Sequence, residues 1–551
     1  MWWLFSVILI VSIGSSWQDE FPTADTSMGA VKGHYKYSYG KRKFAAFEGI
    51  PYIKSPVGDL RFEEPQSSEP WAEVLEATKL HTCMQKFVMF PAAGEEDCVY
   101  LNVYVPRTQP IPNENLDVIV HIHGGAFVAG CAHIAGPAYL MDKDIVFVNF
   151  NYRLGIFGFL STEDNEIPGN YGLKDQVFAL KWIQDNIEYF GGNPKSVTIT
   201  GLSAGGASVH YHYLSPLSKG LFHRGLSQSG TAIAPWAVVN NPLEYALKLG
   251  KAVGCSTQST KALKECLKSK SAVSLYDKME SMYALPSGFP IVPFGPVIEK
   301  KSKTAFITKH PYLLLKKGKV HDIPWITSAT TDEGLLVLRA LNFTLEIVEN
   351  NWNHDLPFLF DYYNKVKEAD KPTVAKNIKE FYINKDTSKI KNFVKAFGDR
   401  FFIEPLDRGV RLQAKVTRSP VYAQIYGYEA EVKAYLPIPK KFRGVDHGAN
   451  GLLMYDVNFP GLPELPEKLS DNDEKIKDFQ IEMLVSFAKT GIPTLTDIEW
   501  KPVSGGKTIE YLFVKNPDNI SMTYNKELCP LSFWESLPIY ENEKLATKDE
   551  L

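Results

Sequence analysis

Residues 197–209 read Val197-Thr198-Ile199-Thr200-Gly201-Leu202-Ser203-Ala204-Gly205-Gly206-Ala207-Ser208-Val209. The β-branched start, from Ser196 to Thr200, predicts a buried strand, and the small residues after Ser203 predict a helix. Between them lies Gly-x-Ser-x-Gly, and the strand-turn-helix context is what gives that pattern its meaning. On so sharp a turn a side chain two positions either side of the serine would collide with a neighbouring strand or helix, so both positions are glycine. A helix beginning at the serine also aims its free N–H groups and positive dipole end at any negative charge that develops there. Ser203 is therefore a candidate nucleophile.

Upstream, Leu116 to Ile122 and Asp144 to Phe150 are continuous apolar runs, as expected of strands buried on both faces of a mostly parallel sheet. Leu173, Val177, Leu180, Trp182, Ile183 and Ile187 repeat at largely helical spacing across Leu173 to Phe190, and Gly191-Gly192-Asn193-Pro194 stops the helix. This is a strand-helix-strand unit. After the first strand comes His123-Gly124-Gly125-Ala126-Phe127, a small-residue loop of the kind that brings backbone N–H groups to a developing oxyanion. Gly125, Ala126 and Ala204 are the expected donors. His121 and His123 alternate along one strand, but a zinc site wants three or four ligands and no acidic or cysteine partner is evident, so no metal is assigned.

A serine hydroxyl needs a histidine to take its proton, and the histidine needs a carboxylate to fix its tautomer. Two histidines follow any plausible acid. His354 lies in a polar segment after Asn351-Trp352-Asn353, whereas His447 sits in Gly444-Val445-Asp446-His447-Gly448, a glycine-flanked loop suited to presenting a side chain. The apolar run Ile323 to Ile326 predicts another buried strand, with Thr330-Thr331-Asp332-Glu333-Gly334 shortly after it. An open α/β sheet collects its ligands at the carboxyl ends of its strands. Spacing leaves Asp332 and Glu333 both open as the acid. The stretch from about Leu243 to Lys395 is rich in helical sequence and is expected to insert over the sheet edge; Phe479 to Lys489 predicts a late helix packing on the core.

The chain has 551 residues, 44% hydrophobic and 22% charged, with a formal net charge of -3. That balance excludes a disordered, collagenous or coiled-coil chain, and it supplies no global field for nucleic acid or an anionic membrane. Residues Trp2 to Gly14 are apolar apart from Ser6 and Ser12, and Gly14-Ser15-Ser16 precede a polar run, which predicts a signal peptide over residues 1–16 although its start carries no Lys or Arg. No apolar run reaches the length of a transmembrane segment. The last four residues, Lys548-Asp549-Glu550-Leu551, form the tetrapeptide that an endoplasmic reticulum retrieval receptor reads, so residues 17–547 are expected to form one domain in the reticulum lumen. Cys83/Cys98 and Cys255/Cys266 are close pairs able to close short loops, and Asn342 and Asn519 head glycosylation sequons.

Longer strings carry a resemblance. Phe47-Glu48-Gly49-Ile50-Pro51-Tyr52, Leu60-Arg61-Phe62, Glu96-Asp97-Cys98-Val99-Tyr100-Leu101-Asn102-Val103, Asn151-Tyr152-Arg153-Leu154-Gly155 and the stretch from Phe190-Gly191-Gly192 to Gly205 are similar to signatures of the type-B carboxylesterase family, across nearly the whole mature chain. The resemblance implies the α/β-hydrolase fold and a serine carboxylic-ester hydrolase without metal or organic cofactor. It implies that Glu333 is the triad acid and His447 the base, that Cys83–Cys98 and Cys255–Cys266 are disulfides, and that Ser229 supports the triad. Departures narrow the substrate. Cholinesterases have glutamate where this chain has Leu202, and they carry a cation-binding tryptophan in the first disulfide loop, where this chain has none. An approximate alignment puts Pro290 and Val292 where cholinesterases narrow the acyl pocket with phenylalanines. The glutamine of the juvenile hormone esterase string Gly-Gln-Ser-Ala-Gly is also replaced, by Leu202. Cys529 has no cysteine near Phe401 to Pro405 to complete a third bridge, so Cys529 and Cys131 are expected as free thiols. Uncharged carboxyl esters are the implied substrates, and a lipase-like, juvenile-hormone-type or slow-turnover sequestering esterase is the alternative. Non-catalytic adhesion relatives lose triad residues that this chain keeps.

Overall fold

A computed structural model describes residues 21–86, 91–285, 287–340, 349–384, 388–432, 442–457 and 466–541. The expected signal peptide, the terminal tetrapeptide and Asn342 lie outside the described residues. Eleven strands join one sheet: β1 (His34–Tyr37), β2 (Lys43–Pro51), β3 (Tyr100–Val105), β4 (Leu116–Ile122), β5 (Ile145–Phe150), β6 (Gly192–Leu202), β7 (Arg224–Gln228), β8 (Trp325–Thr330), β9 (Val421–Tyr426), β10 (Ile509–Asn516) and β11 (Asn519–Asn525). Their spatial order is 1-2-3-5-4-6-7-8-9-10-11. The run from β5 to β10 is parallel, and antiparallel strands close both ends.

Why the central strands read as unbroken apolar runs is visible in their alternation. Val118, Val120 and Ile122 of β4 face one core while Ile119 faces the other, and Val146, Val148 and Phe150 of β5 oppose Ile145 and Phe147 in the same way. Side chains alternate across a strand, so a sheet covered on both faces needs apolar residues at both parities. Helix α1 (Tyr171–Asn186) covers the first face through Val177, Leu180 and Ile183. A 3₁₀ turn, Ile187–Phe190, follows it and ends at Gly191, whose φ of 83° favours a residue without a Cβ. Helix α2 (Ala204–Leu214) lies on that same face. The second face is covered by α5 (Asp471–Thr490) through Ile476, Leu484 and Phe487. This last helix begins eight residues before the predicted Phe479. Its N-cap Ser470 accepts from the N–H of Asp473, and acidic residues fill its first turn, so capping starts the helix where its apolar periodicity is still weak.

One strand is displaced from its predicted place. The apolar run Ile323 to Ile326 suggested a strand there, but β8 begins at Trp325, after Pro324, which has no N–H to give a ladder, and continues through buried Thr327, Ser328 and Thr330. Those hydroxyl residues break the apolar pattern; of them, Ser328 accepts from Asn450 through its hydroxyl and Thr330 donates its backbone N–H to Glu333. The insertion after Pro242 is helical on either side of that strand, including α3 (Lys389–Gly398) and α4 (Glu404–Val416), with a π-helical turn over Asp399–Ile403 between them.

Both expected disulfides are present, Cys83–Cys98 and Cys255–Cys266, and Cys131 and Cys529 are buried without a bridge. Among the described residues no helix is long and apolar enough to cross a membrane. The β5 exit is locked to α1 by a buried ion pair: Arg153 Nε and Nη2 donate to the two carboxylate oxygens of Asp175 at 2.8 and 2.7 Å, with both side chains at most 3% exposed. Asp175→Asn strands a buried guanidinium, and breaking one partner of such a pair costs about 3–5 kcal/mol. The urea midpoint should fall accordingly, and an unchanged midpoint would contradict this role for the pair.

Candidate active site

Three strand ends on the sheet's carboxyl edge build the site. At the end of β6 the chain turns through Ser203, at φ 60° and ψ −120°, into α2. That conformation is uncommon for a residue with a side chain, and strain of this kind survives only where the surroundings enforce it. Here they do. A Cβ on Gly201 would strike the carbonyl of Gly205, one on Gly205 the carbonyl of Ile122, and one on Gly230 the carbonyl of Ser203. The Ser203 N–H donates to the Gln228 carbonyl at 2.7 Å, which binds the turn to the end of β7.

Glu333 follows β8 and is 1% exposed. Its Oε1 accepts from the Thr330 N–H at 2.8 Å and from Ser229 Oγ at 2.6 Å, and its Oε2 lies 2.6 Å from His447 Nδ1. Asp332, the other acid left open by spacing, instead accepts from the N–H of Val445 at 3.0 Å and braces the histidine loop. His354 is 74% exposed and pairs with its neighbour Asp355, away from this edge. With Nδ1 taken by Glu333, Nε2 is the ring nitrogen of His447 left for Ser203. Ser203 and His447 do not hydrogen-bond in this structure; such contacts commonly tighten only when substrate binds.

Asn450, three residues past His447, ties the histidine loop to the strand ends. Its Nδ2 donates to Ser229 Oγ at 3.2 Å and Ser328 Oγ at 3.0 Å, and its carbonyl accepts from Gln228 Nε2 at 2.7 Å. The same glutamine holds both the Ser203 turn and the His447 loop. Phe402 packs its ring 4.6 Å from the His447 imidazole, and Trp236 lies 6.0 Å from Phe402. Trp236 also lines a pocket with Pro290, Val292 and Phe401. Asn450, Gln228, Phe402 and Trp236 had no sequence signal of their own, because each acts through partners in other segments of the chain.

Gly125 and Ala126 form a loop with φ of 110° and 55°, packed against the Ser203 turn: a Cβ on the preceding Gly124 would lie 3.1 Å from Ser203 Cβ. The carbonyl of Gly125 accepts from the N–H groups of Val128 and Ala129, which fixes the turn of the loop. Ala204 opens α2 and has no helical acceptor for its N–H. His121 and His123 are engaged separately, with Thr200 Oγ1 at 3.0 Å and the Gly124 carbonyl at 2.8 Å; burial pulls their pKa values down to about 3 and about 4, which keeps both neutral.

A profile of the Carboxylesterase family matches residues 20–534. Venom carboxylesterase-6 of Apis mellifera is 38% identical, covering 96% of each chain, and juvenile hormone esterase of Tribolium castaneum is 35% identical over 93% of this chain and 91% of its own. The crystal structure of juvenile hormone esterase from Manduca sexta, with OTFP covalently attached, superposes with a TM-score of 0.83 at 27% identity, covering 94% of this chain and 99% of that one. The chain belongs to the carboxylesterase family and has its α/β-hydrolase fold.

The loop bearing His447 ends in a short strand, Asp456–Val457, paired with Ala135–Gly136. Burial raises the pKa of Asp456 to about 7, against the pull of the Ala138 N–H that its carboxylate accepts at 2.6 Å. An acid whose folded pKa lies above its unfolded value holds its proton more tightly when folded, so stability falls as pH rises between the two values. Asp456→Asn removes that loss. The variant should gain on the parent steadily from about pH 4 to pH 7 in thermal unfolding, and a pH-independent difference would contradict it.

Proposed function

We propose that the protein hydrolyses uncharged carboxylic esters by acyl transfer through Ser203. The observation that carries this is the buried His447–Glu333 pair, fastened through Asn450 and Gln228 to the strained turn that presents Ser203. His447 Nε2 takes the hydroxyl proton as Ser203 Oγ attacks the ester carbonyl, and Glu333 holds the tautomer and balances the imidazolium. The N–H groups of Gly125, Ala126 and Ala204 stabilise the oxyanion. His447 then returns its proton to the departing alcohol, leaving an acyl-serine that water hydrolyses by the same steps in reverse. Attack, proton transfer and charge stabilisation are all supplied by these residues, so the reaction requires neither metal nor organic cofactor.

Leu202 beside the nucleophile offers no counter-charge, and the wall of Phe402 and Trp236 is apolar, which supports neutral ester groups over cationic ones. The two juvenile hormone esterase relatives favour a second reading, a hydrophobic hormone ester, against which stands the change at Leu202. The apolar leader and terminal Lys-Asp-Glu-Leu support synthesis into the endoplasmic reticulum and retention there by a retrieval receptor, and Asn519, exposed at the start of β11, is placed to carry a glycan.

Ser203→Ala should lower kcat on p-nitrophenyl butyrate by roughly 10³-fold or more, with His447→Gln comparable. Activity retained by Ser203→Ala would overturn the assignment. Turnover of a juvenile hormone methyl ester at a kcat/KM well above that for the butyrate would favour the second reading. Removal of residues 548–551 should send the expressed protein into the medium, and its retention inside the cell would contradict the lumenal address.

A further inference from the structure

Far from Ser203 in sequence, six ionic side chains cluster, three of each sign: Asp361, Lys365, Arg400 and Glu404 are buried, and Arg408 and Glu541 are mostly covered. Charges are buried in such numbers only when each finds partners, and removing one leaves the rest uncompensated. Glu541 is the hub. Its carboxylate pairs with Arg400 and reaches Lys365 Nζ at 3.5 Å, while its carbonyl accepts from Arg408 at 3.3 Å. Burial opposes the charged form, yet Arg400, Lys365 and Arg408 together pull its pKa down to about 2.

Each arm of this cluster ends on the wall behind His447. Arg400, 2% exposed and packed near the Trp534 ring, belongs to the π-helical turn Asp399–Ile403, two residues from Phe402. π-turns interrupt regular helices and frequently mark functional sites. Lys365 Nζ donates to Asp361 and to the carbonyl of Pro235, both at 2.7 Å, and so holds the residue before Trp236. Trp236 Nε1 in turn donates to the Phe401 carbonyl at 3.0 Å, closing a loop from Glu541 through both sides of the wall. The ring of Phe402 is the face against which the His447 imidazole rests.

We propose that Glu541 is a positioning residue for His447, acting through Arg400 and Lys365 to hold Phe402 and Trp236, so that docking of the C-terminal segment sets the geometry of proton transfer. The inference rests on His447 being the general base. It makes the segment that ends at Glu541 part of the catalytic architecture.

The test is a double-mutant cycle on the full chain, with p-nitrophenyl butyrate as substrate and kcat expressed per serine labelled by a fluorophosphonate, so that unfolded protein does not count. E541Q should lower kcat by roughly 10-fold with KM changed less than about twofold, as expected for small misplacement of a proton-transfer group. E541D should recover most of the loss. In an F402A background E541Q should add no further loss, because residues acting through one another are not additive. Parental kcat in E541Q, or the same fold-loss in both backgrounds, overturns the inference. Should E541Q not fold, R400K, which keeps the charge and loses the planar fork, runs the same cycle with the same outcomes. Failure of the phosphonate to label the parent enzyme overturns the reading of the site and this inference with it.

Discussion

Everything in this molecule accommodates one backbone turn. At Ser203 the chain passes from strand to helix within a single residue, at φ 60°; the neighbouring backbones of β4 and β7 put carbonyls where a Cβ on Gly205 or Gly206 would be, and the Ser203 carbonyl stands where one on Gly230 would be. Such a turn costs free energy, and it persists because the packed sheet over-determines it. Ala126, Phe127 and Ser229 also have positive φ, so the strain is shared by the three strand ends around the nucleophile.

Around that turn several polar side chains form a connected chain. Glu333 uses its oxygens for Thr330, Ser229 and His447; Asn450 spends its amide on Ser229 and Ser328; Gln228 joins the serine turn to the histidine loop. In a low-dielectric interior an unpartnered member would be expensive, so each satisfied bond restricts the next and the geometry becomes unique. Ser328, whose hydroxyl accepts from Asn450 and which breaks the apolar pattern of β8, is the clearest trace of this. It costs the strand part of its sequence signature and gives the site part of its scaffold.

The separation between what could and could not be read follows from range. The serine turn, the oxyanion loop, α1 and the paired cysteines are written in residues near one another, where periodicity and glycine placement report local geometry directly. The choice of Glu333 over Asp332 is a matter of which way two adjacent carboxylates face, and that is settled by Val445 and His447, more than a hundred residues further on. The start of α5 and the displaced start of β8 were missed for smaller reasons of the same type: a cap and a proline outweighed the apolar pattern.

By itself, the sequence determined the class of fold and the family to which the strings belong, and it singled out Ser203 as the candidate nucleophile, because a strained turn between strand and helix tolerates few residue types and the flanking strand and helix are legible around it. Only the tertiary structure decided the rest of the site. Asn450, Gln228, Phe402 and the buried ionic hub at Glu541 are ordinary residues in sequence. Their importance comes from burial and from partners that the sheet brings together from distant segments, and neither composition nor spacing records which side chains will meet in a space from which water is excluded.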